Sequence, residues 1–200
     1  MTAEPTDSPA EDHVVKLTGD PALGPVVREH GPVTIEPADD LFERLVTSLV
    51  RQQVSMDAAD AIEGRLFDRF EVTPSGLLEA DAAELHDAGL SEAKVEYAKA
   101  TARAFQEREW DHDYFAGMAD DAVADEVTEI RGVGPWTAKM FLMFGLGRED
   151  VFPVEDLGIR KGMETVFEDE LTRAEMRERA TEWAPYRSYA SLYLWRAVEG

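Results

Sequence analysis

Apolar residues recur at helical spacing through most of the chain. Phe42, Leu45, Val46, Leu49 and Val50 share one face of a 3.6-residue helix, and Ile62, Leu66, Phe67 and Phe70 share a face of the next. Gln52 to Ser55 forms the turn between them, with Ser55 placed to cap the second. A third stripe runs through Val95, Ala98, Ala102 and Phe105. It follows the junction Gly89-Leu90-Ser91, where Ser91 is the cap. Asp81 with Glu84 and Thr172 with Glu175 have capping-box spacing. Asp20-Pro21 opens a helix that Gly31-Pro32 closes, and residues 119–130 form another. A last helix after Pro185 presents Ala190, Tyr193, Leu194, Ala197 and Val198 on one side. Strand signals are confined to short pieces near Val14 and Val33. The pattern predicts an all-α protein, preceded by a disordered acidic tail over 1–12.

Size and composition narrow the function classes. Two hundred residues suit one domain or two small lobes sharing a chain. No apolar run approaches membrane-spanning length, and the start lacks the basic and apolar regions of a signal peptide. The expected location is therefore the cytoplasm. The absence of cysteine excludes disulfides, cysteine-ligated zinc, a cysteine nucleophile and a cysteine-bound iron–sulfur cluster. His13, His30, His86 and His112 have no ligand spacing and are assigned no metal.

Charge changes the picture more. Forty-two Asp and Glu oppose twenty Lys and Arg, for a formal net charge of −22, and the lysines are confined to Lys16, Lys94, Lys99, Lys139 and Lys161. Such a balance argues against the positive footprint that nucleic-acid binding usually relies on. It also resembles the composition of halophilic archaeal proteins. In molar salt the screening length shrinks to roughly 3 Å, and repulsion from a polyanion is largely screened.

Candidate chemistry is concentrated in Ile130 to Asp156, IRGVGPWTAKMFLMFGLGREDVFPVED. Gly132-Val133-Gly134 reads either as an ordinary helix–helix turn or as a phosphate seat at the start of the helix that Pro135 opens. In the second reading Val133 packs inward while the flanking amides face out. The carbonyls of Thr128, Ile130 and Gly132 converge on a monovalent cation, and Lys139 adds a charge-assisted contact. Asp156 reads as a helix N-cap or as a placed carboxylate, with Asp150 and Glu155 as competitors. A fixed carboxylate suits cleavage of an N-glycosidic bond, where positive charge builds on the sugar. Arg160 and Lys161 stand out in so acidic a chain and fit backbone phosphates, as do Arg51 and Arg131. Trp136, directly after the turn, offers an aromatic slot for an extruded base, and Trp183 to Tyr189 supply more aromatics; Tyr193 and Trp195 read as core. Gln52-Gln53 reads as solvated caps or as a wedge that fills the gap left by a flipped base.

Ile130-Arg131-Gly132-Val133-Gly134-Pro135-Trp136-Thr137-Ala138, followed by Phe152-Pro153-Val154-Glu155-Asp156-Leu157-Gly158, resembles the helix-hairpin-helix (HhH-GPD) DNA glycosylase superfamily. The terminal WAPYRSYASLYLW, the Gln52-Gln53-Val54-Ser55 turn, and Leu85 with Gly89 to Lys94 are similar to its alkylpurine branch, that of 3-methyladenine DNA glycosylase II. The resemblance covers about residues 13–198. It implies a two-lobed helical fold, with lobe one about 41–146, lobe two 13–40 plus 147–200, and the active site in the cleft between them. It implies Asp156 as the catalytic aspartate, Gln53 as the intercalating residue, and a base pocket of Trp136, Met140, Trp183 and Tyr186. Phosphates fall to Gly132, Val133, Gly134, Lys139, Arg160 and Lys161, and a structural K+ or Na+ to the hairpin carbonyls. Bifunctional members carry a lysine nucleophile where this chain has Trp136, so no lyase activity is expected. The residues ahead of the first lobe are too few for the extra β-rich domain of larger alkylpurine enzymes. The expected protein is a monomeric, monofunctional glycosylase that acts on damaged double-stranded DNA. It releases 3-methyladenine and 7-methylguanine and leaves an abasic site. The rivals are a glycosylase for deaminated or oxidised bases and a non-catalytic helix-hairpin-helix DNA-binding module.

Overall fold

The computed structural model describes residues 9–199. The expected tail therefore lies outside the described residues as far as residue 8, whereas its last positions, from Pro9, are helical. Among the described residues the chain is all-helical, and none of its helices is long and apolar enough to cross a membrane. The strand signals fail because Val14 lies within a helix and Val33 in an unpaired connection. β-branched residues are stiff in either setting, and neither piece has a partner strand.

In chain order the helices are α1 (Pro9–Thr18), α2 (Gly24–His30), α3 (Leu41–Arg51), α4 (Met56–Arg69), α5 (Pro74–Glu79), α6 (Ala82–Asp87) and α7 (Glu92–Arg108). Then come α8 (His112–Phe115), α9 (Asp120–Thr128), α10 (Pro135–Phe144), α11 (Leu157–Phe167), α12 (Arg173–Ala180) and α13 (Arg187–Glu199). They divide into two compact units. One is Pro37–Gly147; the other joins the chain up to Glu36 with the stretch from Arg148 onward.

In the 37–147 unit, α3 packs on α7 and α10, and α9 and α10 form the hairpin pair. The α3 face read from the sequence is the buried one: Phe42, Leu45, Val46, Leu49 and Val50 all lie in the core. Caps set the boundaries. Ser55 accepts from Ala58 N–H and Ser91 from Lys94 N–H, each satisfying an amide that the helix itself leaves bare.

The other unit is built on α11 against α13, with α2 also packed on α13. Gly162 permits the close approach, since a Cβ there would lie 2.8 Å from Leu194 Cβ. Asp20 caps the turn before α2 through Ala22 and Leu23 N–H and accepts from the Trp183 indole at 2.9 Å, joining the two ends of this unit's sequence. Thr172 and Glu175 form the expected reciprocal capping box at α12.

Candidate active site

The hairpin between α9 and α10 is built by its glycines and one valine. Gly132 has φ 95°, which favours glycine, and a Cβ there would run into the Tyr97 ring. Val133 is buried, as its place at the tip requires if it anchors the turn. Its amide does not face outward. It donates to the Ile130 carbonyl at 3.0 Å, so Val133 holds the turn in shape and is not itself a phosphate donor. Gly134 is the N-cap of α10, and it contributes no side-chain hydrogen bond there. Its backbone is extended (φ −101°), and a Cβ would meet nothing within 4 Å. The fold itself therefore does not demand glycine at 134.

The neighbouring turn is held against this hairpin. Gln52 Nε2 donates to the Gly132 carbonyl at 2.9 Å and to Thr137 Oγ1 at 2.8 Å. The carbonyls of Ile130 and Gly132 thus each already accept one hydrogen bond. An oxygen with two lone pairs still has one to offer, so the donor set is compatible with a monovalent ion that shares Gly132 with Gln52. Gln53, next along, is exposed and left-handed (φ 56°), a loop tip directed away from its own unit's core.

Trp136 lies half-buried in the first turn of α10. Met140 follows one turn later, on the same side of the helix, and is buried. Lys139 is half-buried. Arg131 and Arg51 are less available than their charge suggests. Arg131 pairs with Glu96 at 2.7 Å, and Arg51 with Glu63 at 2.7 Å and Asp60 at 3.0 Å. The Glu63 hydrogen bond is the main reason that the Arg51 guanidinium titrates above its usual range.

In the other unit, α11 begins at Asp156. Its Oδ1 accepts from Ile159 N–H at 3.0 Å, the N-cap bond expected of an aspartate there. The same oxygen accepts from the Trp195 indole Nε1 at 2.9 Å. Backbone and ring together fix the half-buried carboxylate in one orientation. Gly158 leaves room for this: a Cβ would lie 2.7 Å from Trp195 Cδ1 and 3.0 Å from Asp156 Oδ1. The competing carboxylates have other work. Asp150 takes a bidentate contact from Arg187, at 2.7 Å to Nε and 2.9 Å to Nη2, while Glu149 accepts from Tyr189 Oη at 2.8 Å. Burial and that carboxylate push the Tyr189 hydroxyl up to about 12. Glu155 faces Arg177 at 3.6 Å. Ser188 Oγ, buried, donates to the Arg148 carbonyl and accepts from Val151 N–H. The segment Arg187-Ser188-Tyr189 thus clamps the chain that leads to Asp156.

Two other expected site residues take structural places. Trp183 is 1% exposed, packed against Phe152 and Phe167 with its N–H on Asp20, so it has no face to offer a base. That corrects its place in the base pocket. Arg160 turns back to donate to the Glu155 carbonyl at 2.7 Å, bracing the turn before Asp156. Tyr186 is half-buried, edge-on to His13 and Tyr189, and Lys161 is exposed.

Against known families, residues 46–186 match the model described as HhH-GPD superfamily base excision DNA repair protein. The chain belongs to the HhH-GPD superfamily. It is 34% identical over 186 residues to a protein of Saccharomyces cerevisiae named DNA-3-methyladenine glycosylase, covering 82% of this chain and 62% of that one. A DNA-3-methyladenine glycosidase structure from Bacillus halodurans is 33% identical with a TM-score of 0.78, covering 98% and 92% of the two chains. The Schizosaccharomyces pombe 3-methyladenine DNA glycosylase, solved in complex with abasic DNA, is 26% identical with a TM-score of 0.87, covering 94% and 97%. The all-helical HhH-GPD fold is thus shared with 3-methyladenine glycosylases.

Within this HhH-GPD chain, sequence reasoning missed what Trp195 and Gly158 do at Asp156. Helical periodicity places Trp195 beside the core stripe of α13, which is why it reads as packing. A tryptophan N–H in a crowded place needs an acceptor, however, and the sequence contains that signal in the indole itself.

Proposed function

We propose that this HhH-GPD protein is a monofunctional DNA glycosylase that releases N3- and N7-alkylated purines from duplex DNA. The observation that carries the reading is Asp156, fixed at the start of α11 by Ile159 N–H and the Trp195 indole. An alkylated purine is electron-poor and leaves readily. As its N-glycosidic bond breaks, the electron pair departs with the base and positive charge builds at C1′ of the sugar. A carboxylate held in advance stabilises that charge without reorganising, the source of most electrostatic catalysis. It also orients the water whose oxygen then bonds to C1′, and accepts the proton that this water gives up. The two donors on Oδ1 keep the carboxylate in place during these steps.

The hairpin serves the other half of the task. Gly134 leaves the start of α10 bare for a phosphate of the DNA backbone, which positions the enzyme without reading sequence. Trp136, in the same first turn, supplies a π-face suited to a cationic base. Trp136 also occupies the place where bifunctional relatives carry a lysine, so hydrolysis, not Schiff-base chemistry, is the reaction proposed. A potassium or sodium ion on the carbonyls of Thr128, Ile130 and Gly132 would add positive charge beside that phosphate; no step depends on it.

The net charge of −22 sets the conditions. Arg51, Arg108 and Arg131 already have carboxylate partners, so their charge is less available to draw in DNA at low ionic strength. We place the working state in concentrated salt, where repulsion between the two polyanions is screened.

The test is base release from methylated duplex DNA in concentrated potassium chloride, with strand nicking scored before and after alkali. Release of 3-methyladenine and 7-methylguanine, with strands intact until alkali is added, is the expected result. Nicking without alkali overturns the monofunctional reading. No release from folded protein overturns the alkylpurine reading, and binding to an abasic-site duplex without any release would favour a DNA-binding module.

A further inference from the structure

The adjacent glutamines after α3 do different things. Gln53 is exposed on a left-handed backbone. Gln52 turns inward and spans two parts of the hairpin, the Gly132 carbonyl in the turn and Thr137 Oγ1 in the first turn of α10. A carbonyl can only accept, so the NH2 end of the amide must face Gly132, and both of its hydrogens are used. The backbone of the turn is fixed as well. Lys94 Nζ donates to the carbonyls of Val50 and Gln52 at 2.6 and 2.8 Å, closing the end of α3. Burial there lowers the pKa of the Lys94 ammonium. On the other side, Ser55 starts α4 and Arg51 is tied to α4 through Asp60 and Glu63. Each part of the turn is anchored except the exposed tip.

We infer that Gln52 is a positioning residue, tying the Gln53 tip to the phosphate hairpin so that grip and wedge move as one rigid element. The inference rests on the proposed glycosylase reading, which takes the hairpin as the grip and Gln53 as the wedge. Extruding a base costs stacking and pairing. A side chain on a slack loop yields to that resistance, whereas one braced against a hairpin already seated on the backbone transmits the load to the phosphates. Glutamine suits the position because its planar amide supplies two donors at the end of a two-carbon arm. Glutamate would set a carboxylate against the Gly132 carbonyl. Methionine keeps the volume and loses the donors.

The experiment compares wild type with Gln52→Met, Gln53→Ala and the double variant. Each is measured on an intact duplex and on the same duplex with a tetrahydrofuran abasic analogue, alongside thermal melting. Wild type should prefer the abasic duplex. Gln52→Met should lose about tenfold of that preference, the scale of one or two lost hydrogen bonds. Its affinity for intact duplex should stay within about twofold, and the double variant should be no worse than Gln53→Ala, as for residues acting as one unit. The milder Thr137→Val, which removes one of the two bonds, should fall in between. Equal losses on both duplexes with a lowered melting temperature would show that Gln52 merely supports the fold and overturn the inference; so would an unchanged preference in Gln52→Met. Wild type without any preference would remove the wedge and Gln52's role together. Base release failing while the preference and its loss are seen would count against the alkylpurine substrate alone, leaving the Gln52 assignment supported.

Discussion

The helices α10 and α11 both begin at sharp turns, yet their first turns are handled in opposite ways. α10 starts from Gly134, which brings no side chain to the helix amides. α11 starts from Asp156, whose own carboxylate occupies that place. Physically the two ends are the same object, a cluster of N–H groups at the positive end of a helix dipole. In the proposed mechanism, one is left for an anion that arrives with the DNA, and the other holds an anion that belongs to the protein. The residue at the cap decides which. A glycine makes the helix start a seat; an aspartate makes it a mount.

The comparison can be broken at either end, and the largest effect is expected at the mount. Asp156→Asn keeps a comparable cap, so the melting temperature should hold. Single-turnover base release should fall about 100-fold or more, the scale of one lost electrostatic group. Gly132→Ala attacks the frame of the seat, with a positive φ and the Tyr97 ring both against it. It should lower stability by about 1–3 kcal/mol in thermal melting and weaken duplex binding with it. Trp195→Phe keeps a smaller aromatic ring and removes the donor to Asp156; release should slow about tenfold while abasic-duplex affinity stays within about twofold. The smallest effect is Gly134→Ser. Serine is a good cap, so stability should hold or rise slightly, while duplex affinity falls by about threefold as the new side chain crowds the phosphate.

Much of this was readable in the chain because caps and turns are local chemistry. Ser55, Ser91, Asp156 and the Thr172–Glu175 pair each announce a helix start within four residues, and each caps its helix as read. Gly132-Val133-Gly134-Pro135 likewise spells its own turn. What could not be read is what reaches across the sequence. Gln52 meets Gly132, Trp195 meets Asp156, and Arg187-Ser188-Tyr189 clamps the chain ahead of that aspartate. Periodicity says which face of a helix is apolar, but not which polar atom waits opposite. The same gap misplaced Trp183, whose aromatic character suggested a base pocket although its partners Asp20, Phe152 and Phe167 make it core. Val133 shows the reverse case: its burial was readable, but its amide's bond to Ile130 was not.

The most direct measurement takes both readouts on the same preparations of wild type, Asp156→Asn and Gly134→Ser. One is the single-turnover rate of 3-methyladenine release, and the other is affinity for an abasic-analogue duplex in concentrated potassium chloride. A division of labour between the two helix starts predicts a crossed result. Asp156→Asn binds as wild type and barely releases base, while Gly134→Ser binds more weakly but releases base at a near-normal rate once saturated. Parallel losses in both variants, or normal release from Asp156→Asn, would contradict it.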